Sequence, residues 1–469
     1  MKRLIATVLS VLFIMFSTGC NESGGVTVNN NKPWKTLPDY EQNKASHLKI
    51  GGYYTPKVND ASFKEYADCG FDVMWINGEN VGGYGGESQY VKNALELAGK
   101  YNLKCIIDAS VSRDSAKKND DLTAAAHDYG YQNYPALWAM DAYDEPVTFE
   151  PEDRSKVGID TVAAYIPKFQ EIYGETMPFF TNLFAMHASS LGTTFGEYLK
   201  QNIEQIVKKT SPKAERWISC DNYVYIYDPG TEKYSLQQNW LYNLQLLANE
   251  KLKNPELDIH TNFFILSMPH ITDNQGRWFD RQIGYNELRM QMYSLIAFGY
   301  DMVSFFCYAT PTSSKETYRN ALVDLNGEKT QTWDDSKKII SEIRKFDRVF
   351  MQFDYKGVIT ATGTENSNSF GGFTSLTELD ATQIGDLQEV KGTSDTLVGV
   401  AKDAYENDGY TVVNYNDPYY KNKDTVEMTF KNAKYACVYK GGVKEDIKLV
   451  NHILTLDLDV GEGVFVIPY

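Results

Sequence analysis

Two sequence patterns follow one another along the 469-residue chain. Together they predict an α/β fold: a TIM (β/α)8 barrel followed by an antiparallel β-sandwich. The first pattern begins at His47, where short apolar runs alternate with longer amphipathic stretches. Runs this apolar suit parallel strands covered on both faces, and eight of them in about 300 residues is the count and length of a closed barrel. The second observation is negative. The first run continues as "GGYYTP", not as the GxGxxG turn that an open doubly wound sheet would want there. The third lies past about residue 352, where apolar and polar residues alternate singly between Gly, Asn and Asp turns. That is the signature of antiparallel strands with one face buried.

The N-terminus reads as a targeting signal. Met1-Lys2-Arg3 supplies the positive end, and Leu4 to Phe16 is an apolar run too short to cross a membrane comfortably. It ends in Ser17-Thr18-Gly19-Cys20, which resembles a bacterial lipobox with Ser17 where Leu is usual. The expectation is a lipoprotein signal over residues 1–20, with Cys20 lipidated and the body held at the cell envelope, facing periplasm or exterior. Residues 21–46 are polar and aperiodic, as a flexible tether is.

The barrel is expected over 47–352. Its strands are read as "LKIGGYY" (48–54), "FDVMWIN" (71–77), "KCIIDAS" (104–110), "ALWAMDAY" (136–143), "MPFFTNLF" (177–184), "RWISCDNY" (216–223), "TNFFILSM" (261–268) and "DMVSFFCY" (301–308). Helical stretches such as "ESQYVKNALELAGKYN" and "YNELRMQMYSLIAFGY" separate them, several ending in Gly or Asn as helix C-termini do. "DSKKIISEIRKFDRVFMQ" (335–352) is the expected eighth helix. The sandwich, over 353–469, is built from runs such as "TLVGVAKD", "GYTVVNYN", "TVEMTFKN", "HILTLDLD" and "GVFVIPY".

Charge narrows the partners. The chain carries net −16, and loss of Lys2 and Arg3 with the signal leaves 44 basic against 62 acidic residues. Nucleic acid and anionic membrane surfaces both need a basic patch, so neither is expected, and membrane contact is expected through the lipid anchor alone. Cys69, Cys105, Cys220, Cys307 and Cys437 show no CxxC spacing and several lie in apolar runs, which predicts buried free thiols. The six His include no HxxxH or HxH pair, so no metal and no cofactor is expected.

Chemistry in such a barrel sits at the C-terminal ends of its strands. There the sequence places Tyr54, Trp75, Asp108, Tyr143, Asp144, Glu145, Asn182, Asp221, Tyr223, His270, Trp278 and Tyr308. Carboxylates, aromatics and amides with almost no Lys or Arg suit a neutral sugar rather than a phosphate or carboxylate ligand. Glycosidic cleavage needs one carboxyl group to protonate the leaving oxygen and a second as base or nucleophile. Glu145 stands where strand four ends and Pro146 stops the ladder. The neighbouring Asp141 and Asp144 are expected to raise its pKa, as a general acid requires. Asp221, ending strand six, is the best-placed second carboxylate. Trp278, in a polar loop, is the expected exposed stacking platform. Trp138 and Trp217 begin their strands and are expected in the barrel's bottom or core.

The stretches "WAMDAYDEP", "WISCDNYVY", "FFILSMPH" and above all "ELRMQMYSLIAFGYDMVSFFCY" resemble β-galactosidase-like members of glycoside hydrolase clan A. That clan's acid/base Glu follows strand four, often as Asn-Glu-Pro. The resemblance therefore implies Glu145 as acid/base, with Asp144 in the place of the usual Asn. It also implies a nucleophilic Glu ending strand seven, where this chain reads "NFFILSMPH" and has no carboxylate. An inverting enzyme using Asp221 is one outcome, with Asp221 as a residue that contacts sugar hydroxyls or orients Glu145 as the other. Glu287 fits a helix N-terminus better than chemistry. Two functions follow: a glycoside hydrolase acting on neutral oligo- or polysaccharides, or a non-catalytic glycan-binding lipoprotein on a degenerate barrel. A metal-dependent lyase or deacetylase is a poor fit without a His cluster.

Overall fold

The computed structural model describes residues 33–43, 45–77, 89–108, 128–147, 157–188, 191–228, 230–272, 277–278, 281–312 and 316–469. The signal, Cys20 and the first part of the expected tether lie outside these residues. Among the described residues no helix is long and apolar enough to cross a membrane.

Eight parallel strands close the barrel. They are β1 (Lys49–Gly52), β2 (Val73–Ile76), β3 (Lys104–Asp108), β4 (Leu137–Asp144), β5 (Phe179–Leu183), β6 (Arg216–Asp221), β9 (Ile259–Leu266) and β12 (Met302–Phe306), in the order β1-β12-β9-β6-β5-β4-β3-β2. Each predicted run supplies one strand. Side chains alternate between lumen and helices, as the two-residue period of a strand requires. Val73, Trp75, Ile106, Ala139, Phe180, Trp217, Phe264 and Met302 fill the lumen. Their neighbours, such as Met74, Ile107, Met140, Ile218, Phe263 and Val303, pack outward under the helices. Gly51 makes room for the largest lumen side chain. A Cβ there would stand 3.1 Å from Ser304 Oγ and 3.2 Å from Trp75 Nε1, so any larger residue would crowd the indole where it lies across β1.

The helices that follow are α1 (Asp60–Cys69), α2 (Gln89–Lys100), α3 (Ile159–Tyr173), α4 (Phe195–Asn202), α5 (Trp240–Lys253), α6 (Tyr285–Ala297) and α7 (Gln331–Ile343). α1 starts at Asn59, whose side chain accepts from the Ser62 amide. The run expected as one helix over 335–352 is α7 followed by a separate short helical turn, Asp347–Phe350. Small strands decorate the C-terminal end of the barrel: the hairpin β7 (Tyr225–Asp228) and β8 (Lys233–Leu236), and a three-stranded sheet of β10 (His270–Thr272), β11 (Arg277–Trp278) and β13 (Glu316–Tyr318).

The sandwich faces a six-stranded sheet against a three-stranded one. The first is β14 (Phe353–Ala361), β16 (Thr396–Asp403), β17 (Asp408–Asn414), β22 (Gly463–Pro468), β19 (Tyr435–Lys440) and β20 (Val443–Lys448). The second is β15 (Leu387–Gly392), β18 (Asp424–Phe430) and β21 (Ile453–Leu458). Val398, Val400, Tyr410 and Val412 from one sheet meet Val426, Met428, Leu454 and Leu456 from the other.

Barrel and sandwich share a seam along α6. A Cβ on Gly399 would fall 2.1 Å from the Ala297 carbonyl oxygen, and one on Gly463 would fall 2.3 Å from the Tyr293 ring. Arg281 forms a two-pronged ion pair with Asp417, both nearly fully buried. Arg289 donates to the Val460 carbonyl at 2.7 Å. Residues 33–43, placed in the tether by composition, run along this body instead. Tyr40 is buried, packs 5.1 Å from Phe353 and donates its hydroxyl to Asp403 at 2.7 Å. One aromatic ring with a buried acceptor outweighs the polar residues around it.

Candidate active site

Polar residues planted in the apolar strands form one hydrogen-bonded chain across the lumen. Trp75 Nε1 donates to Ser304 Oγ (3.2 Å), and Ser304 Oγ to Asn262 Oδ1 (2.9 Å). Asn262 Nδ2 donates to Ser219 Oγ (2.9 Å), and Ser219 Oγ to Asn182 Oδ1 (2.9 Å). Asn182 Nδ2 then donates to two carboxylates, Asp144 at 3.2 Å and Asp221 at 3.0 Å. Every hydroxyl in the chain both accepts and donates, so the whole run points one way, toward the carboxylates. Because both oxygens lie within 3.2 Å of one nitrogen, those of Asp144 and Asp221 are no more than about 6 Å apart, close enough for both to face one sugar ring.

The end of β4 carries the acids, and a bulge decides which way each points. The β4–β5 register shifts between Asp141 and Tyr143. Asp141 lies opposite lumen-facing Phe180, Tyr143 opposite Thr181, and Asp144 opposite Asn182. Thr181 faces α4, where it accepts from Asn202 at 2.8 Å. The extra residue therefore turns both Asp141 and Asp144 inward and sends Tyr143 to the outer core. Asp141 is 2% exposed, stands opposite Asp108 in register, and its Oδ1 has no hydrogen-bond partner among the described residues. Burial, then the charges of Asp144 and Asp108, push its pKa well above the usual carboxylate range. The Tyr53 hydroxyl feels the same group: burial first, then Asp144, Asp108 and Asp141, raise its pKa.

Glu145 follows at φ +52°, a left-handed backbone that few side chains adopt. Its amide donates to the Asn182 carbonyl at 2.9 Å, and Tyr198 fixes the next residue by donating to the Pro146 carbonyl at 2.6 Å. Glu145 and Asp221 share surroundings. Both charges add to burial in raising the pKa of the Cys220 thiol, and both do so again at the Tyr198 hydroxyl. The mouth thus divides into Asp108, Asp141, Asp144 and Tyr53 on one side and Glu145 with Asp221 on the other, joined by Asn182.

Aromatic rings line the same mouth. Phe306 lies 5.9 Å from Tyr53 and 5.4 Å from Tyr223, all three half-buried. Other expected platforms lie elsewhere. Trp75 is fully buried in the lumen chain. Tyr308 packs behind β1 on Tyr66 (4.4 Å), with its hydroxyl accepting from Trp333 at 3.3 Å. Tyr54 is 5% exposed, among Met268, Cys307 and Ala321. His270 and Trp278 lie on β10 and β11, their side chains outside the described atoms. Trp217 and Trp138 stack edge to face at the opposite, N-terminal end, 5.5 Å apart. Glu287 accepts from the Gly284 amide at 3.2 Å at the start of α6. The five cysteines 69, 105, 220, 307 and 437 are buried and free. Among the described residues no group of three or more His, Cys, Asp or Glu is arranged to hold a metal.

Sequence reasoning missed Ser219, Asn262 and Ser304 as parts of one network. Their signal is a polar residue at a lumen-facing position of an otherwise apolar strand, as in "RWISCD", "TNFFIL" and "MVSFF".

Residues 217–346 match the sequence profile of a family described as Beta-galactosidase. The matched segment contains Ser219, Asp221, Asn262 and Ser304, and excludes Asp144, Glu145 and Asn182. No curated protein sequence matches the chain. Among solved structures, a catalytic mutant of a GH42 beta-galactosidase from G. stearothermophilus is similar at TM-score 0.52 and 9% identity, covering 91% of this chain and 98% of that one. A beta-galactosidase from Bacillus circulans sp. alkalophilus is similar at TM-score 0.52 and 11% identity, covering 91% and 99%. The beta-galactosidase of the psychrophilic Marinomonas ef1 gives TM-score 0.41 at 9% identity over 65% of this chain, which spans only 62% of that chain's length. At these identities the likeness to the first two is one of fold, a (β/α)8 barrel carrying a β-sandwich.

Proposed function

We propose that the protein is a glycoside hydrolase acting on neutral glycans, with Glu145 as proton donor and Asp221 as the second carboxylate. The observation that carries this reading is the Asn182 amide, held between Asp144 and Asp221 at the end of the lumen chain. An oriented amide fixes the carboxylates before substrate arrives, which is how a site gains rate from positioning. Tyr53, Phe306 and Tyr223 supply faces for a sugar ring, and Asp144 supplies hydrogen bonds to its hydroxyls. The matched family description puts β-galactosides first among substrates to try. Anchoring at the cell envelope through Cys20 belongs to the same proposal.

The test is a product screen. Chromogenic β-galactosides and neutral oligosaccharides are incubated with protein lacking residues 1–20. Wild type is expected to release sugar, and Glu145→Gln and Asp221→Asn to lose about 10²–10⁴-fold in turnover. Full activity in Glu145→Gln sinks its role as the acid. The anomer first released, read by NMR, assigns retention or inversion.

One observation favours a second reading. β9 ends at Leu266, and the next residue, Ser267, donates to the Cys307 carbonyl at 3.0 Å, so no carboxylate ends this strand. A barrel that binds glycan without cleaving it gives affinity and no product in the same screen.

A further inference from the structure

A second concave site lies outside the barrel lumen, where the β7–β8 hairpin meets the sandwich. Its cavity, about 470 Å³, falls in the range of small-ligand sites and shares no residue with the carboxylate cluster. Tyr234 and Tyr420 supply its aromatic faces, with Gln238, Glu365, Asn366 and Asn368 around them.

The aromatic face is built to stay in place. Tyr234 is half-buried, backed by Tyr419 at 4.1 Å and Tyr227 at 4.9 Å between ring centroids, with the Arg281 guanidinium 5.5 Å from its ring. Arg281 is itself locked to Asp417, so this cation serves the ring stack and is not offered to a ligand. Tyr420 is 58% exposed, and its hydroxyl reaches the Tyr234 carbonyl at 3.4 Å. The opposite wall is equally fixed. Asp395 accepts from the amides of Gly363 (2.9 Å) and Ser369 (2.7 Å), clamping both ends of the loop that carries Glu365 to Asn368. Asn422 donates to Asn416 at 2.9 Å, and Asn416 to Ser369 Oγ at 3.2 Å. The side chains of Gln238, Glu365, Ser367 and Asn368 make no hydrogen bond within the described residues, and all four are exposed.

A rigid pair of rings facing free amides, a hydroxyl and one carboxylate is the chemistry that recognises a neutral polyhydroxylated ligand. Ring faces take its C–H surface and the amides take its hydroxyls. No Lys or Arg lines the cleft, which disfavours an anion. We propose that this cleft is a non-catalytic binding site for a neutral oligosaccharide chain, independent of the reaction assigned to the barrel mouth.

Affinity electrophoresis tests this without requiring turnover. Full-chain protein lacking residues 1–20 is run in native gels containing soluble β-galactan, galactomannan or xyloglucan, beside gels without polysaccharide. Wild type and Asn182→Ala, a barrel-mouth variant, are expected to be retarded alike in at least one gel. Tyr420→Ala is expected to weaken that binding by about tenfold, as loss of one ring contact does, and Asn368→Ala to weaken it severalfold, as loss of one hydrogen bond does. Tyr420 is exposed, so its truncation leaves the fold intact, and an unchanged melting temperature of Tyr420→Ala checks this. Retardation absent from every gel, or abolished by Asn182→Ala and untouched by Tyr420→Ala, overturns the proposal.

Discussion

The side-chain nitrogen of Asn182 is shared between Asp144, the residue directly before Glu145, and Asp221 on the neighbouring strand β6, at 3.2 and 3.0 Å. Its other amide atom is held by Ser219, so the group cannot rotate without breaking three hydrogen bonds. Replacing Asn182 with Ala removes one hydrogen bond from each carboxylate. We expect kcat to fall about 100-fold with KM moving far less, because the loss is one of orientation. Steady-state kinetics with a chromogenic substrate checks this. An equal rise in KM alone would assign Asn182 to substrate binding.

Asp141 gives the protein a pH dependence of unusual sign. Its folded-state pKa lies above the unfolded value, so the native state holds the proton more tightly. Its contribution is fully favourable below the ordinary aspartate pKa and is lost as pH rises through the folded value. Asp141→Asn removes the titration and keeps the acceptor oxygen. The variant's melting temperature is expected to gain on wild type as pH goes from 5 to 8, by roughly 1–3 °C or more. Thermal denaturation at both pH values measures this, and a constant difference would argue against it.

Ser219 is the middle joint of the lumen chain. Ser219→Ala leaves Asn262 Nδ2 and Asn182 Oδ1 buried without their partner. The expected cost is about 1–3 kcal/mol of stability, read from urea unfolding. Ser219→Thr, which keeps the hydroxyl, is expected to restore more activity than stability, since its added methyl enters a packed lumen.

Cys20 is expected to hold the chain at the envelope. Cys20→Ser should move the protein from the membrane fraction to the soluble one and abolish incorporation of labelled palmitate. Membrane retention of the variant would remove lipidation from the proposal.

The barrel was legible because its strands are apolar on both faces, a pattern that tertiary context does not blur. β15 and β20 were not, because "LQEVKG" and "VKEDIK" are largely solvent-exposed and carry little apolar period. At the site, Asp108, Asp144 and Asp221 end their strands, Asn182 lies one residue before the end of β5, and Glu145 follows β4. Which face each side chain takes is a separate matter. Simple alternation from Asp141 turns Tyr143 into the lumen and Asp144 out, and the bulge reverses both. Tyr308 shows the same limit: it lies two residues past β12 and turns behind the barrel, onto Tyr66.

Gly399 presses the sandwich against the backbone of α6 and Gly463 against its Tyr293 ring, and Arg281–Asp417 is sealed into the same seam. The border near residue 352 is therefore a change of architecture and no place to cut. A barrel expressed alone would bare the flank of one of its own helices and strand a buried guanidinium. The sandwich reads less as a passenger than as the outer half of that helix's bed. Swapping it for a relative's would mean carrying α6 across with it.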